Sequence, residues 1–373
     1  LSGSNLNIYF NDLSDVRTKV SGLEGQLSGL TLPNDGGDSA SMLNQLSLKA
    51  DSVSHSTQTG YYTANLSDIS FDLEEGRFET DRFQLIPALS PKELPHEVGH
   101  EVDHLDISSG PMRLTGLNGD LLLSEGKIEA THVSFSEPSV KISRDKNPPD
   151  KTRQPRPLMN TAFANLSTSV SIDSLTVNRG FVSYREWQEG QDSSGTVYFD
   201  SIDLTIRNLQ NADHDERITA EARTSFMNLA DLSVTFDFSL LEDGSQTISG
   251  RMGGLDLESL NEVLVPLAFV RVESGTIHSV DFDFSLDNSS SSGQFVTLYE
   301  DFSMSLLSKD GLESSTGIRI ISFLANTIQI HSSNTRPDPR IGDIQFEKEV
   351  GQSTVNYWWK SIRSGMKDLV QRM

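Results

Sequence analysis

His96-Glu97-Val98-Gly99-His100 carries the sharpest chemical pattern in this sequence. On a helix, H-E-x-x-H places two imidazoles one turn apart, where they bind zinc while the glutamate acts as general base on a metal-bound water. His104 is available as a third ligand. Three features oppose this zinc metallopeptidase reading: Pro95 directly precedes the motif, Gly99 sits inside the required turn, and no long amphipathic helix surrounds it. Val98, His100, Val102 and His104 alternate with Gly99, Glu101 and Asp103, which predicts a strand. A strand would hold His96 and His100 about 13 Å apart, too far to share an ion. The peptidase is therefore a remote alternative, and no catalytic residue, metal ligand or cofactor is expected.

Other chemistry finds less support. With 53 Asp and Glu in 373 residues, close carboxylate pairs arise by chance, and none sits in a catalytic frame. The chain has no cysteine, which removes thiol catalysis, disulfides and cysteine-ligated zinc. Gly250-Arg251-Met252-Gly253-Gly254 fits no phosphate-binding or dinucleotide fingerprint, and no G-x-S-x-G elbow occurs. A formal charge of −23 repels phosphate backbones, so nucleic acid is not an expected partner.

The elements that must position any site are strands. Ile69-Phe71-Leu73, Val234-Phe236-Phe238-Leu240 and Val280-Phe282-Phe284-Leu286 each alternate apolar with polar residues, the mark of half-buried strands. The pattern recurs at Ile202-Leu204-Ile206, Phe302-Met304-Leu306, Ile328-Ile330 and Ile344-Phe346, separated by Gly, Asn, Asp and Ser as antiparallel meanders require. A loose repeat runs a strand into a glycine and a second strand, at Leu105–Gly110, Leu175–Tyr184 and Val270–Ile277. Glycine there suits a tight turn or a bulge. Residues 13–30 keep a heptad-like spacing of Leu and Val but carry Gly22, Gly25 and Gly29, and are read as strand. Pro33–Ala40 and Ser289–Ser292 read as loops, and the proline- and charge-rich Asp145–Pro157 as an extended surface loop or hinge between two halves.

Two helices interrupt the strands. Asp256 is a candidate N-cap for a short helix near 256–265 that Pro266 ends. From about Ser353 to Arg372, Val355, Trp358, Trp359, Ile362, Met366, Leu369 and Val370 give a broad apolar face beside Lys360, Arg363 and Lys367, a locally basic element on an acidic chain. Trp358, Trp359, Lys360, Arg363 and Lys367 are candidate contacts with an anionic membrane or a partner, or part of a lid over the sheet. Val234, Phe236, Phe238, Phe282, Phe284 and Leu286 are expected to face the interior, lining a lipid groove if the sheet is open and forming core if it is a closed sandwich. The longest apolar runs fall short of the roughly 20 residues of a spanning helix. Opening at Leu1 rather than Met, the chain is expected to follow an upstream signal or anchor.

Leu255–Leu267, Val270–Ile277, Gly293-Gln294-Phe295 and Leu298–Phe302 together resemble the carboxy-terminal region of AsmA-like bacterial envelope proteins. Phe323–Ile328, Asn334–Pro339, Phe346-Glu347 and the Tyr357-Trp358-Trp359-Lys360-Ser361 helix are similar to versions from the Bacteroidetes lineage, and Ser136–Lys146 extends the likeness into the first half. The resemblance implies a repeating β-groove related to AsmA, TamB and bridge-like lipid-transfer proteins. It implies a protein anchored at the inner membrane and facing the periplasm, linked to phospholipid transport or outer-membrane biogenesis. The expected fold is mainly β: an elongated twisted antiparallel sheet with a short helix near 256–265 and a C-terminal amphipathic helix. Residues 1–146 form the N-terminal groove half, 147–160 the proline-rich loop, 161–350 the C-terminal AsmA-like half and 351–373 the helix. The expected function is non-enzymatic lipid binding or transfer with a phospholipid or other lipid as partner. A structural or adhesive β-protein binding a protein or glycan is the alternative.

Overall fold

The computed structural model describes residues 6–11, 17–28, 45–150, 155–211, 216–241, 243–307 and 331–371. Within them every strand belongs to one sheet. The first half is an antiparallel meander of β1 (Leu6–Asn11), β2 (Arg17–Ser28), β3 (Gln45–Ser56), β4 (Tyr62–Asp72) and β5 (Arg77–Pro87). β5 pairs with β6 (Asp103–Ser109) and β7 (Met112–Thr115), two segments of one interrupted strand. These pair in turn with β9 (Ser139–Asp145) and β8 (Ile128–Ser136). The strand assignment for 13–30 holds over Arg17–Ser28, whereas Ile328-Ile330 and Pro33–Ala40 lie outside the described residues.

One joint departs from the expected antiparallel pattern. β10 (Val170–Trp187) runs parallel to both β8 and β9. A parallel pair needs a crossover, and the proline-rich stretch supplies it together with α3 (Met159–Ala164). Hydrogen bonding thus continues from β8 and β9 to β10, on either side of the segment read as a loop or hinge. From β10 the antiparallel meander resumes through β11 (Ser194–Gln210), β12 (Arg217–Phe226), β13 (Ala230–Ser239) and β14 (Gln246–Met252). It ends with the two-residue β15 (Leu255–Asp256), β16 (Val270–Leu286), β17 (Ser290–Leu306) and β18 (Gly342–Glu347). Ser290–Ser292, read as loop, open β17.

A line of β-bulges runs from β4 to β11. Non-glycine residues with positive φ stand at Asp68 in β4, Glu137 between β8 and β9, Arg179 in β10 and Ser201 in β11, and Gly110-Pro111 interrupts β6 and β7 at the same level. β12, β13 and β14 pair without a shift, and Asp301 marks a separate bulge in β17. A bulge inserts one extra residue, bends the strand and shifts the inward parity by one. In β10 the inward set passes from Leu175 and Val177 to Val182 and Tyr184, yet all stay on one face. The Gly-containing repeat therefore marks these bulges rather than hairpin turns. At Gly180 the backbone passes close to its neighbours: an added Cβ would lie 2.9 Å from Val177 Cγ1.

The other helices are short. α1 (Glu93–Val98) precedes β6 and α2 (Gly119–Glu125) joins β7 to β8. The predicted 256–265 helix is a 3-10 turn (Leu257–Leu260) running into α4 (Asn261–Ala268), which packs against β11 and β16. Asp256 caps it by accepting the Glu258 N–H at 2.9 Å. Pro266 lies inside α4 rather than ending it, because a helix this short loses only one backbone bond to proline. The C-terminal helix, α5 (Thr354–Gln371), matches its predicted span closely. Among the described residues no helix is long and apolar enough to cross a membrane.

The main core lies between α5 and the β13–β18 part of the sheet. Tyr357 and Leu369 of α5, Leu158 of the crossover and Ile344 of β18 are wholly excluded from solvent, and Phe284 and Phe295 nearly so. Three hydrogen bonds tie this arrangement together. Trp358 Nε1 donates to Gln246 Oε1 at 2.9 Å, Gln246 Nε2 to Asn160 Oδ1 at 2.7 Å, and Asn160 Nδ2 to the Ser239 carbonyl at 2.6 Å. Replacing Trp358 by Phe keeps the aromatic bulk but strands the buried Gln246 oxygen. The expected loss in urea denaturation is about 1–3 kcal/mol. α5 also closes the free edge of β18: Asp368 Oδ2 accepts the Asp343 N–H at 2.8 Å and Ser364 Oγ the Gln345 N–H at 3.1 Å. An edge so capped is blocked to strand addition.

Candidate functional site

Register places side chains of paired residues on the same face, so the sheet's surface chemistry can be followed strand by strand. From β3 to β11 one row reads Leu48, Phe71, Phe78, Leu114, Val133, Leu175 and Ile206. A second reads Ala50, Ile69, Thr80, Met112, Phe135, Val177 and Leu204. Beyond the bulge line the apolar face continues through Leu85, Ile107, Val140, Val182 and Phe199. The opposite face carries Ser70, Glu79, Arg113, Ser134, Thr176 and Thr205 in register.

The two apolar rows continue under α5. Ile206 and Leu204 pair with Ala220 and Ala222, and these with Phe236 and Val234. Ile248 and Gly250 follow, then Phe284 and Phe282. All six predicted lining residues thus share one face. Phe238, Phe284 and Leu286 are only 9%, 1% and 4% exposed, and Val234, Phe236 and Phe282 pack half-buried beside them. Those positions are core beneath α5 rather than open lining. The equivalent positions in β3–β11 are mostly half-buried. α3 brings Phe163 and Ala164 into one apolar cluster with Leu204 and Ile206, and α4 packs on β11, whereas the rows from β3 to β8 have no long helix docked on them among the described residues. Seven strands at about 4.8 Å spacing make this strip about 30 Å wide.

α5 divides the other predicted contacts. Trp358 turns inward, stacked on Phe238 and tilted against Phe236, so it is not a membrane contact. Lys360 pairs with Glu349 at 2.6 Å and lies over the Phe346 ring. Trp359, Arg363 and Lys367 face outward with Val355 and Met366.

The H-E-x-x-H stretch forms neither a long helix nor a strand. α1 ends at Val98 with Gly99 left-handed, so His100 falls beyond the helix that holds His96. His100 Nδ1 lies 2.8 Å from the Glu101 carbonyl, and His104 Nε2 lies 2.9 Å from the Leu89 carbonyl in a buried position on β6. Among the described residues no group of three metal-binding side chains assembles.

The strongest electrostatic feature was not singled out by sequence reasoning. Asp103, Arg144 and Glu186 are paired across β6, β9 and β10, one step beyond Leu105, Ile142 and Tyr184. Arg144 Nε donates to Asp103 at 2.8 Å, while Glu186 accepts from Lys146 at 2.8 Å and from Tyr184 and Gln188 at 2.6 Å each. Nearby Glu101 is pushed up from the ordinary glutamate range, chiefly by burial, with Asp150 and Glu186 adding to the effect and Arg144 and Lys146 opposing it. A carboxyl raised on folding costs stability wherever it is ionised. Glu101→Gln should therefore raise the thermal midpoint at pH 7, the gain shrinking as pH falls and vanishing below the ordinary glutamate value of about 4, where the carboxyl is protonated in both the folded and the unfolded chain.

No protein-family model matches the chain, and no characterised protein is recognisably similar to it in sequence.

Proposed function

We propose that this protein binds lipid along the apolar face of β3–β11 and carries or contacts lipid without chemical turnover. The observation that carries this reading is the in-register apolar strip, uninterrupted by charge in either of its two main rows. Acyl chains need a dry apolar surface and no reactive group, and each buried CH₂ contributes about 0.8 kcal/mol. Along β6 and β7 the same face runs from Leu105 to Leu114, about 30 Å at about 3.3 Å per residue, so one acyl chain fits along the strands. The resemblance to AsmA-like proteins supports the same reading and adds a setting: the periplasm of a bacterial envelope, with attachment to a membrane. There α5 would turn Trp359, Arg363 and Lys367 toward anionic lipid.

The test is native mass spectrometry of gently purified protein followed by organic extraction. Co-purifying phospholipid is the expected result. Protein of clean mass that also takes up nothing from vesicles would favour the scaffold or adhesive alternative.

A further inference from the structure

The charged line at the end of the apolar face goes one step beyond lipid binding, on which it rests. Along β6, β9 and β10 the inward residues pass from Ile107, Val140 and Val182, through Leu105, Ile142 and Tyr184, to Asp103, Arg144 and Glu186. Each step of two residues is about 7 Å along the strand. The surface thus changes from wholly apolar to charged over the length of a lipid's glycerol region, the polarity profile of an amphiphile lying along the strands.

The charges are incompletely paired. Glu186 is saturated by Lys146, Tyr184 and Gln188. Arg144 is bound to Asp103 through Nε, and among the described residues its two terminal amino groups have no partner. Lys146 Nζ, with three donors, makes one ion pair. Glu101, immediately before β6, has its backbone fixed by a bond from its N–H to the Pro149 carbonyl at 3.1 Å and by His100 on its own carbonyl. Its carboxylate is half-buried and has no ion pair among the described residues. Free cationic donors and an unpaired, partly desolvated carboxylate therefore stand side by side at the margin of an apolar strip.

We propose that Glu101, Arg144 and Lys146 form a head-group site for a zwitterionic, amine-bearing phospholipid. The ammonium binds the Glu101 carboxylate, which accepts its hydrogen bonds, and the phosphate takes the spare donors of Arg144 and Lys146. An anionic head group without an amine leaves Glu101 unpaired and brings no positive charge to offset the repulsion of its phosphate by Glu186 and Asp103. A quaternary ammonium can neutralise the carboxylate but cannot donate to it.

The experiment offers the full chain vesicles containing equal parts of dioleoyl phosphatidylethanolamine, phosphatidylcholine and phosphatidylglycerol. The re-isolated protein is then extracted and the three lipids quantified. Ethanolamine lipid is expected to exceed glycerol lipid by about tenfold, the scale of one charge-assisted hydrogen bond. Glu101→Gln should take up the three in about equal amounts, and Glu101→Lys should reverse the order. Equal uptake of all three by the native protein, or an ethanolamine preference that survives in Glu101→Gln, would overturn the head-group site and leave lipid binding standing. Uptake of no lipid at all would overturn both.

Discussion

Replacing Gly342 by Val is expected to undock α5 and cost about 3 kcal/mol or more, with Trp358 fluorescence shifting red and the amides of α5 losing protection from exchange. The reason is a backbone contact. A Cβ on Gly342 would overlap the carbonyl oxygen of Gly365 and press on Leu369, and one on Gly365 would come within 2.7 Å of Ile344 and Phe295. Rotating a side chain relieves neither clash, so the helix must move and the core around Tyr357 and Leu369 opens with it. Gly253→Ala is the matched control. Its nearest neighbour would be 3.8 Å away, so the change should stay within about 0.5 kcal/mol. Equal effects of the two substitutions would show that the close helix–strand approach does not hold α5 in place.

The second large effect separates stability from binding. Phe78→Asp and Leu114→Asp put a charge into the middle of the half-buried strip while leaving the α5 core alone. Burying an ionised carboxylate beneath an acyl chain costs several kcal/mol, so lipid capture should fall by more than tenfold. The same charge should cost the free protein only about 1–2 kcal/mol, because in the absence of lipid it reaches water. Phe284→Asp should do the reverse. At 1% exposure in the main core its change is expected to unfold the C-terminal half whatever happens to lipid. Retained lipid capture in Phe78→Asp would move the binding surface off this face.

Much of this was legible in local pattern. Period-2 alternation found β4, β10, β11, β13, β16, β17 and β18 because each buries one face only. Asp256 announced its cap, and the spacing from Val355 to Val370 announced α5. The parity change between Val177 and Val182 was also in the sequence, but reading it as a bulge requires knowing that the strand continues. A turn explains the same residues when only one strand is in view. The parallel joint at β10 depends on pairing across the crossover, about which local alternation carries no information. Likewise Phe284 and Phe78 obey the same rule in sequence, and which of them lies under α5 is decided by where a distant helix docks. His96 to His100 failed both as zinc helix and as strand because Gly99 takes the left-handed conformation that ends α1. The Asp103–Arg144–Glu186 line escaped notice because its members lie far apart in the chain and meet only through register.

The claim that lipid lies on the apolar face of β3–β11 is tested most directly by photo-crosslinking. Benzoylphenylalanine would be placed singly at Phe78 and Leu114 on that face, and at Ser134 and Thr205 on the opposite one. Irradiation in the presence of vesicles with radiolabelled acyl chains should then label the protein at the first pair and not the second. Labelling confined to Ser134 and Thr205, or absent at all four positions in folded protein, would contradict the account.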